Sequence, residues 1–287
     1  MQPINRDFIE GKTVVITGGN SGIGKATAIE LAKLNANVVI VARDPKKGKV
    51  ALQEIQLLSN NSSVTMLQGS LSSVDLVKDL SKTLLSTLPA IHVLINNAGI
   101  WSDKRILTAD NLESTFAVNH LAPFLLTNLL LGRLKESAPS RIINVSSELH
   151  RAGSINFKDL QMQKNYSGLK AYSASKLCNI LFTRELANRT SGMGITVNSL
   201  HPGAIRTNLF EDSHGVLGFL ARITALFMNS PAKGADTSTF LAADPDVGLV
   251  TGKYFVKRRE KMPSVEAQNK AHATRLWEIS EILTGLA

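Results

Sequence analysis

Several things are scarce in this chain, and each scarcity excludes a class of protein. There is one cysteine, Cys178, in 287 residues, so no internal disulfide can form and a reducing compartment fits. No uninterrupted apolar run approaches the roughly 18 residues of a membrane span. The opening "MQPINRDFIEGKT" lacks the apolar core of a signal peptide. The expectation is a cytoplasmic chain without a transmembrane segment. Polar or Pro/Gly-rich linkers, internal repeats and low-complexity tracts are also missing, so a single domain over 1–287 is expected. His92, His120, His150, His201, His214 and His272 are scattered, with no paired spacing on one element, and a metal site is not expected.

The composition, 44% hydrophobic and 19% charged, is that of a soluble globular protein able to bury a large core. A formal charge of +9 asks for an anionic partner: nucleic acid, an anionic membrane surface or a phosphate-rich cofactor. A diffuse excess is also common in proteins that bind no polyanion. The run "KRREK" at 257–261 carries no interleaved aromatics and no nucleic-acid motif, so it reads as a solvated segment and no nucleic acid is expected.

Short β-branched runs alternate with amphipathic stretches along the chain. "KTVVITG" (12–18), "NVVIVA" (37–42), "SVTMLQ" (63–68), "HVLINNAG" (92–99), "RIINVSS" (141–147), "ITVNSLHPG" (195–203) and "GKYFV" (252–256) read as strands. Helical periodicity occupies 23–34, 45–58, 72–88, 111–136 and 170–190. Continuous apolar strands separated by helices imply a mostly parallel sheet covered on both faces. With right-handed crossovers this is an α/β, Rossmann-type doubly wound fold with seven strands. The loops at 148–167 and 204–232 are longer than the fold requires and are candidate substrate-facing insertions. The second contains "VLGFLARITALFM", with Val216, Phe219, Leu220, Ile223, Leu226 and Phe227 on one stripe. That stripe is either a core-covering helix or an apolar lid over a lipophilic substrate, able to rest on a membrane as a peripheral contact. At 13 residues it is too short to span one.

"TGGNSGIG", Thr17 to Gly24, lies between the first strand and first helix. Gly18, Gly22 and Gly24, spaced G-x-x-x-G-x-G, permit a tight turn and close approach of phosphate to backbone, with a helix N-terminus aimed at the anion. A plain strand-to-helix turn is the alternative, but the position within a βαβ unit favours a dinucleotide site. Its candidate contacts are Gly18, Asn20, Ser21, Gly22, Ile23 and Gly24. The end of strand two selects the dinucleotide: a carboxylate there suits a ribose 2′-OH, a cation the 2′-phosphate of NADP(H). The segment reads "VVIVARDPKKGK", with Arg43 followed by Lys46, Lys47 and Lys49. Asp44 lies one step late for a ribose ligand and is placed to cap a helix begun by Pro45. A solvated basic turn is the alternative to NADP(H).

In "AYSASKLCNILF", Tyr172 and Lys176 sit four residues apart on one helix face. That spacing alone fits either a catalytic acid with its tuning cation or a wet surface. Taken in order with "TGGNSGIG", "NNAG" (96–99), Asn119 and "VSS" (145–147), "YSASK" resembles the short-chain dehydrogenase/reductase family from about residue 10 to the end. The likeness is greatest to the retinol dehydrogenase group, in "FLLTNLLLGRLKESAPSRIINVSS", "AYSASKLCNILFTRELA", "TGKYFVKRREKMPS" and "LWEISEIL".

The resemblance implies reversible hydride transfer between a nicotinamide and a carbonyl or alcohol carbon. It assigns Tyr172 as general acid or base, with Lys176 lowering the phenol's pKa and holding the nicotinamide ribose. It also implies that Ser147 binds the substrate oxygen and that Asn119 supports a proton path to Lys176. From the residues alone, Ser146 competes with Ser147, and Asn119 could be a satisfied polar residue in an apolar helix. The resemblance sets Asn97, Ala98 and Gly99 against the adenosine side, and Pro202, Gly203 and Thr207 near the nicotinamide. Where the family has Asp-Leu to contact adenine, this chain has Ser70-Leu71, which loses the charge. A small lipophilic carbonyl or alcohol as substrate and a homo-oligomer are further implications. A relative that has lost catalysis, acting as an NADP(H)-binding sensor or scaffold, is the alternative; the intact Asn119, Ser147, Tyr172 and Lys176 set argues against it.

Overall fold

The computed structural model describes residue 4, residues 6–203 and residues 230–287. Strands β1 (Thr13–Thr17), β2 (Asn37–Ala42), β3 (Thr65–Gln68), β4 (Val93–Asn96), β5 (Ser140–Val145), β6 (Ile195–His201) and β7 (Tyr254–Val256) pair in parallel, in the order β3-β2-β1-β4-β5-β6-β7. Successive side chains of a strand point to opposite faces, and here both faces are dry. Val14, Ile16, Val38, Ile40, Val93 and Ile95 enter one core. Val15, Val39, Val41, Leu94, Ile142 and Val197 enter the other. That is why the strands read as unbroken apolar runs rather than as an alternation.

Helices α1 (Gly22–Lys33), α2 (Pro45–Ser59) and α6 (Pro231–Ala243) cover the first face, through Leu31, Ile55 and Leu241 among others. Helices α3 (Val74–Thr87), α4 (Ser114–Glu136) and α5 (Gly168–Arg189) cover the second, through Leu84, Phe124 and Phe182. Helix α7 (Lys270–Thr284) packs Ala273 and Leu276 against Leu177, Ile180 and Leu181 of α5 and Phe116 of α4. Asp44 caps α2 by accepting the Lys46 and Lys47 N–H groups at 2.8 and 3.1 Å, with Pro45 opening the helix. Helix α4 is long and apolar enough to cross a membrane, yet 78% of that stretch is buried inside the protein, as in a core helix.

Among the described residues the sheet has eight strands, not seven. β8 (Arg259–Glu260) pairs antiparallel to β7, with Phe255 opposite Glu260 and Val256 opposite Arg259. The two residues between them, Lys257 and Arg258, both adopt positive φ, 51° and 61°, the backbone of a tight hairpin turn. Asn and Gly usually mark such turns, so a Lys-Arg turn leading into a charged strand carries no sequence signal. Arg258 is held in place by Asp236 on α6, with Nε 2.9 Å from both carboxylate oxygens. Helices α6 and α7 are likewise absent from the sequence reading. Residues 204–229, which contain the 216–228 stripe and Thr207, lie outside the described residues.

The strand order reverses between β1 and β4, so the chain leaves their carboxyl ends toward opposite faces and opens a crevice there. The motifs converge on that crevice.

Candidate active site

On one side of the crevice the backbone is fixed by what the glycines lack. Gly18 (φ 66°) and Gly22 (φ 53°) adopt the left-handed conformation that side chains resist. A Cβ on Gly24 would stand 2.4 Å from the Gly18 carbonyl oxygen and 2.5 Å from Asn97 Nδ2. Asn97 ties the loop down from β4: its Nδ2 donates to the Thr17 oxygen at 2.9 Å, and its backbone N–H donates to Thr17 Oγ1 at 3.0 Å. The Ala98 N–H reaches the same hydroxyl at 3.1 Å. Helix α1 begins here with Ser21 exposed at its N-cap, its hydroxyl unused in capping, and no acid in the first turn. Uncapped N–H groups and an absence of negative charge suit a phosphate. Asn20 and Ile23 are half-buried beside them, and Arg43, Lys46, Lys47 and Lys49 stand exposed past β2. These residues fit a dinucleotide.

On the other side polar side chains set the geometry. Ser146 turns inward and donates to the Lys176 carbonyl at 2.7 Å, whereas Ser147 faces the crevice and hydrogen-bonds the Tyr172 phenol. Tyr172 and Lys176, 7% and 4% exposed, lie in the first turns of α5 with the ammonium 5.4 Å from the phenol ring centre. Lys176 Nζ donates to the Val145 carbonyl at 3.1 Å. Asn119 sits in a π-turn, Ala117–Leu121, that interrupts α4. Such turns add a residue to the helix and often mark working sites. Its side chain clamps Ile100 from both ends, accepting the N–H at 2.7 Å and donating to the carbonyl at 3.0 Å, and also donates to Ser175 Oγ at 3.0 Å. A Cβ on Gly99 would lie 3.3 Å from Lys176 Nζ and 3.4 Å from Asn119 Oδ1. Gly99 therefore borders the Tyr-Lys cluster.

The model of the short chain dehydrogenase family matches residues 12–215. Retinol dehydrogenase 14 of Mus musculus is 43% identical over 294 aligned positions, covering 97% of this chain and 87% of its own length. Retinol dehydrogenase 12 of Mus musculus is 45% identical, covering 97% and 88%. Among solved structures, an uncharacterised protein from Mycobacterium paratuberculosis superposes with a TM-score of 0.78 at 34% identity, over 97% of this chain and 96% of its own. A short chain dehydrogenase from Escherichia coli CFT073 complexed with NADPH shares the fold at a TM-score of 0.70 and 21% identity, over 88% and 99%. The chain belongs to the short chain dehydrogenase family. It is an oxidoreductase of CH–OH groups, similar to the retinol dehydrogenases, that binds a nicotinamide cofactor.

In this short chain dehydrogenase burial dominates the electrostatics of the Tyr172–Lys176 pair. Burial raises the Tyr172 phenol well above its ordinary value, and the Ser147 hydrogen bond offsets only part of that. Burial also brings the Lys176 ammonium down to about 8. Desolvation is the largest cause at both groups. Both groups lean toward neutrality, and the phenol keeps its proton.

Other expected contacts are distributed more loosely. Ser70 is engaged in its own loop, its Oγ 3.0 Å from Ser72 Oγ and accepting the Ser72 N–H at 3.3 Å. Leu71 packs on the second-face core. Pro202 and Gly203 follow β6, half-buried, with Gly203 at φ 96°. Three participants escaped the sequence reading. Ser175, inside "YSASK", receives Asn119 and donates to the Tyr172 carbonyl at 2.7 Å. Trp101, two residues after "NNAG", lies 5.3 Å from the Tyr172 ring, centre to centre. His150 packs behind Ser147. Proximity to a motif was the available signal for the first two; His150 had none.

Proposed function

We propose that the chain is an NADP(H)-dependent oxidoreductase moving a hydride between the nicotinamide and the carbonyl or alcohol of a lipophilic substrate, such as a retinal-like or other hydrophobic aldehyde or ketone. The observation that carries it is the cluster of half-buried Ser147 with buried Tyr172 and Lys176, facing the crevice at the β1/β4 switch point. Arg43 and the neighbouring lysines, with no carboxylate aligned for a ribose 2′-OH, support the phosphorylated dinucleotide. The first-turn amides of α1, with Asn20, Ser21 and Ile23, would hold the pyrophosphate. Ser70 and Leu71 would border the adenine through their backbone, and Pro202, Gly203 and Thr207 the nicotinamide. The relatives named retinol dehydrogenase motivate the substrate class. Peripheral membrane contact is part of the same proposal and rests on the apolar sequence of 216–228.

The bound cofactor supplies the hydride in reduction and accepts it in oxidation. Ser147 Oγ holds the substrate oxygen beside the Tyr172 hydroxyl. Tyr172, protonated because it is buried, donates its proton to that oxygen as negative charge develops there. Lys176, one helical turn away, stabilises the phenolate left behind. Asn119 acts by holding the Ile100 backbone and Ser175, which keeps the cluster's floor in register. Trp101 and the half-buried Gly99 edge shield the site from water.

The test is NADPH oxidation with a panel of aldehydes and ketones, beside NADH and a Tyr172→Phe variant. Turnover with NADPH that is lost in the variant is expected. Unchanged turnover in Tyr172→Phe sinks the mechanism, and cofactor binding without turnover of any carbonyl points to the sensor or scaffold alternative.

A further inference from the structure

His150 is fully buried, three residues beyond Ser147, and lies outside the chemistry derived above. Both of its ring nitrogens are engaged. Nδ1 is 2.7 Å from the Ser147 carbonyl oxygen, and Nε2 is 3.1 Å from the Ser264 backbone nitrogen. A backbone N–H only donates, so Nε2 must be the acceptor and the ring proton must sit on Nδ1, donated to Ser147. One neutral tautomer satisfies both contacts, and imidazolium would satisfy only one. The Tyr254 ring meets the imidazole edge-on at 4.9 Å, closing the pocket from β7.

The two bonds join segments far apart in sequence. Ser147 is the N-cap of the short 3-10 turn Glu148–Ala152, and its hydroxyl accepts the Leu149 N–H at 3.2 Å while it meets the Tyr172 phenol. Ser264 belongs to the segment between β8 and α7. Arg151 anchors that segment by donating to the Met262 carbonyl at 2.8 Å, and the Ala267 N–H anchors it to Ser264 Oγ at 3.3 Å. We propose that His150 is a positioning residue: it fixes the backbone of Ser147 from behind and so makes the 262–268 segment part of the geometry that presents the Ser147 hydroxyl. The inference rests on the proposed role of Ser147.

Protonation of His150 would set an Nε2–H against the Ser264 N–H and release the tether. The charged and titratable groups around it are Glu148 and Arg151 on its own turn, His201 on β6 and Tyr254 on β7. Tyr254 donates to Glu148 at 3.1 Å, and Glu148 also pairs with Arg151, so the carboxylate's charge is largely spent. Burial lowers the His150 pKa, which keeps the ring neutral at physiological pH and places the release on the acid side.

The experiment compares His150→Leu, His150→Asn and Ser147→Ala by kcat, KM, pH profile and thermal melting. His150→Leu should lower kcat about 10- to 100-fold, the scale of a misplaced catalytic group, with the KM for NADPH unchanged. His150→Asn, whose Nδ2 can still donate to the Ser147 carbonyl, should recover most of the loss and flatten the acid limb of the kcat profile. Wild-type kcat in His150→Leu with an inactive Ser147→Ala would overturn the inference and leave the proposed function standing. If His150→Leu does not fold, His150→Asn decides, because an acid limb identical to wild type overturns the role equally. Full turnover in Ser147→Ala would overturn the function reading and the positioning role with it.

Discussion

The two sides of the crevice are built on opposite principles. The nucleotide side is fixed by missing atoms: Gly18 and Gly24 let loop, helix and strand β4 approach until an added methyl group would collide with backbone. The reacting side is fixed by buried polar atoms: Asn119, Ser146, Ser175 and Lys176 are buried and joined to backbone or to each other. Steric fit is local and survives changes of charge. A polar network in a dry environment is strong only while every member is satisfied. Substitutions should therefore fail differently on the two sides, binding on one and chemistry on the other.

The sharpest separation comes from Tyr172→Phe. It removes a hydroxyl that meets Ser147 and leaves the glycine loop untouched, so kcat should fall about 1,000-fold, within the usual range for a general acid. NADPH affinity, read by fluorescence titration, should stay within a factor of about two of wild type. A parallel loss of affinity would show that the two sides are one unit.

Next in size is the stability cost of Lys176. Its folded pKa is depressed to about 8 by burial, below the ordinary 10.5. Between those values the unfolded chain holds more protons than the native one, so stability rises with pH there. Below about pH 8 both states are protonated, and the cost of the buried ammonium is fully present, on the order of 3 kcal/mol. Lys176→Met should remove that pH dependence. The difference in melting temperature between the two proteins should be largest at pH 7 and shrink toward pH 10. A difference that is constant with pH breaks the account. Tyr172 and Cys178, both raised by burial, titrate alike in the two proteins and cancel.

On the nucleotide side Gly24→Ala should cost about 1–3 kcal/mol, the price of overpacking against backbone that cannot yield. Thermal melting reads it, together with weakened NADPH binding. Arg43→Ala should raise the NADPH KM about 10- to 100-fold, the worth of a hydrogen bond to a charged group, and leave the NADH KM nearly unchanged. Equal effects on both cofactors would mean that Arg43 does not meet a 2′-phosphate.

What could be read from the sequence follows the same division. The strands, the glycine loop, the Asp44 cap and the Tyr172/Lys176 pair are written in short windows, because each depends on neighbours within a few residues. The choice of Ser147 over Ser146 could not be read from "VSS", since it depends on which hydroxyl meets the Lys176 carbonyl 30 residues away. His150 was invisible for the same reason: its partner Ser264 is 114 residues on. β8 escaped because its turn uses Lys257 and Arg258 in place of the usual Gly or Asn, with Asp236 holding Arg258 from a distant helix. The rise of the Tyr172 phenol was not legible either, because spacing shows the cation but not the burial of both groups.

The smallest effect tests whether glycine matters only where backbones approach. Gly132 lies on α4, the helix that also carries Asn119, but it is exposed and an added Cβ would meet nothing within 4 Å. In a helix interior glycine sacrifices about 0.5–1 kcal/mol relative to alanine through its backbone freedom in the unfolded chain. Gly132→Ala should therefore stabilise the protein by up to that amount, as a rise of about 2–4 °C in melting temperature. Its kcat and both cofactor KM values should match wild type. Because the same substitution at Gly24 should destabilise, the pair varies only the surroundings of the added methyl group. A loss of stability at Gly132 would mean that helix α4 is strained along its length rather than only at its π-turn, and the division between a steric side and a polar side would need to be redrawn through that helix.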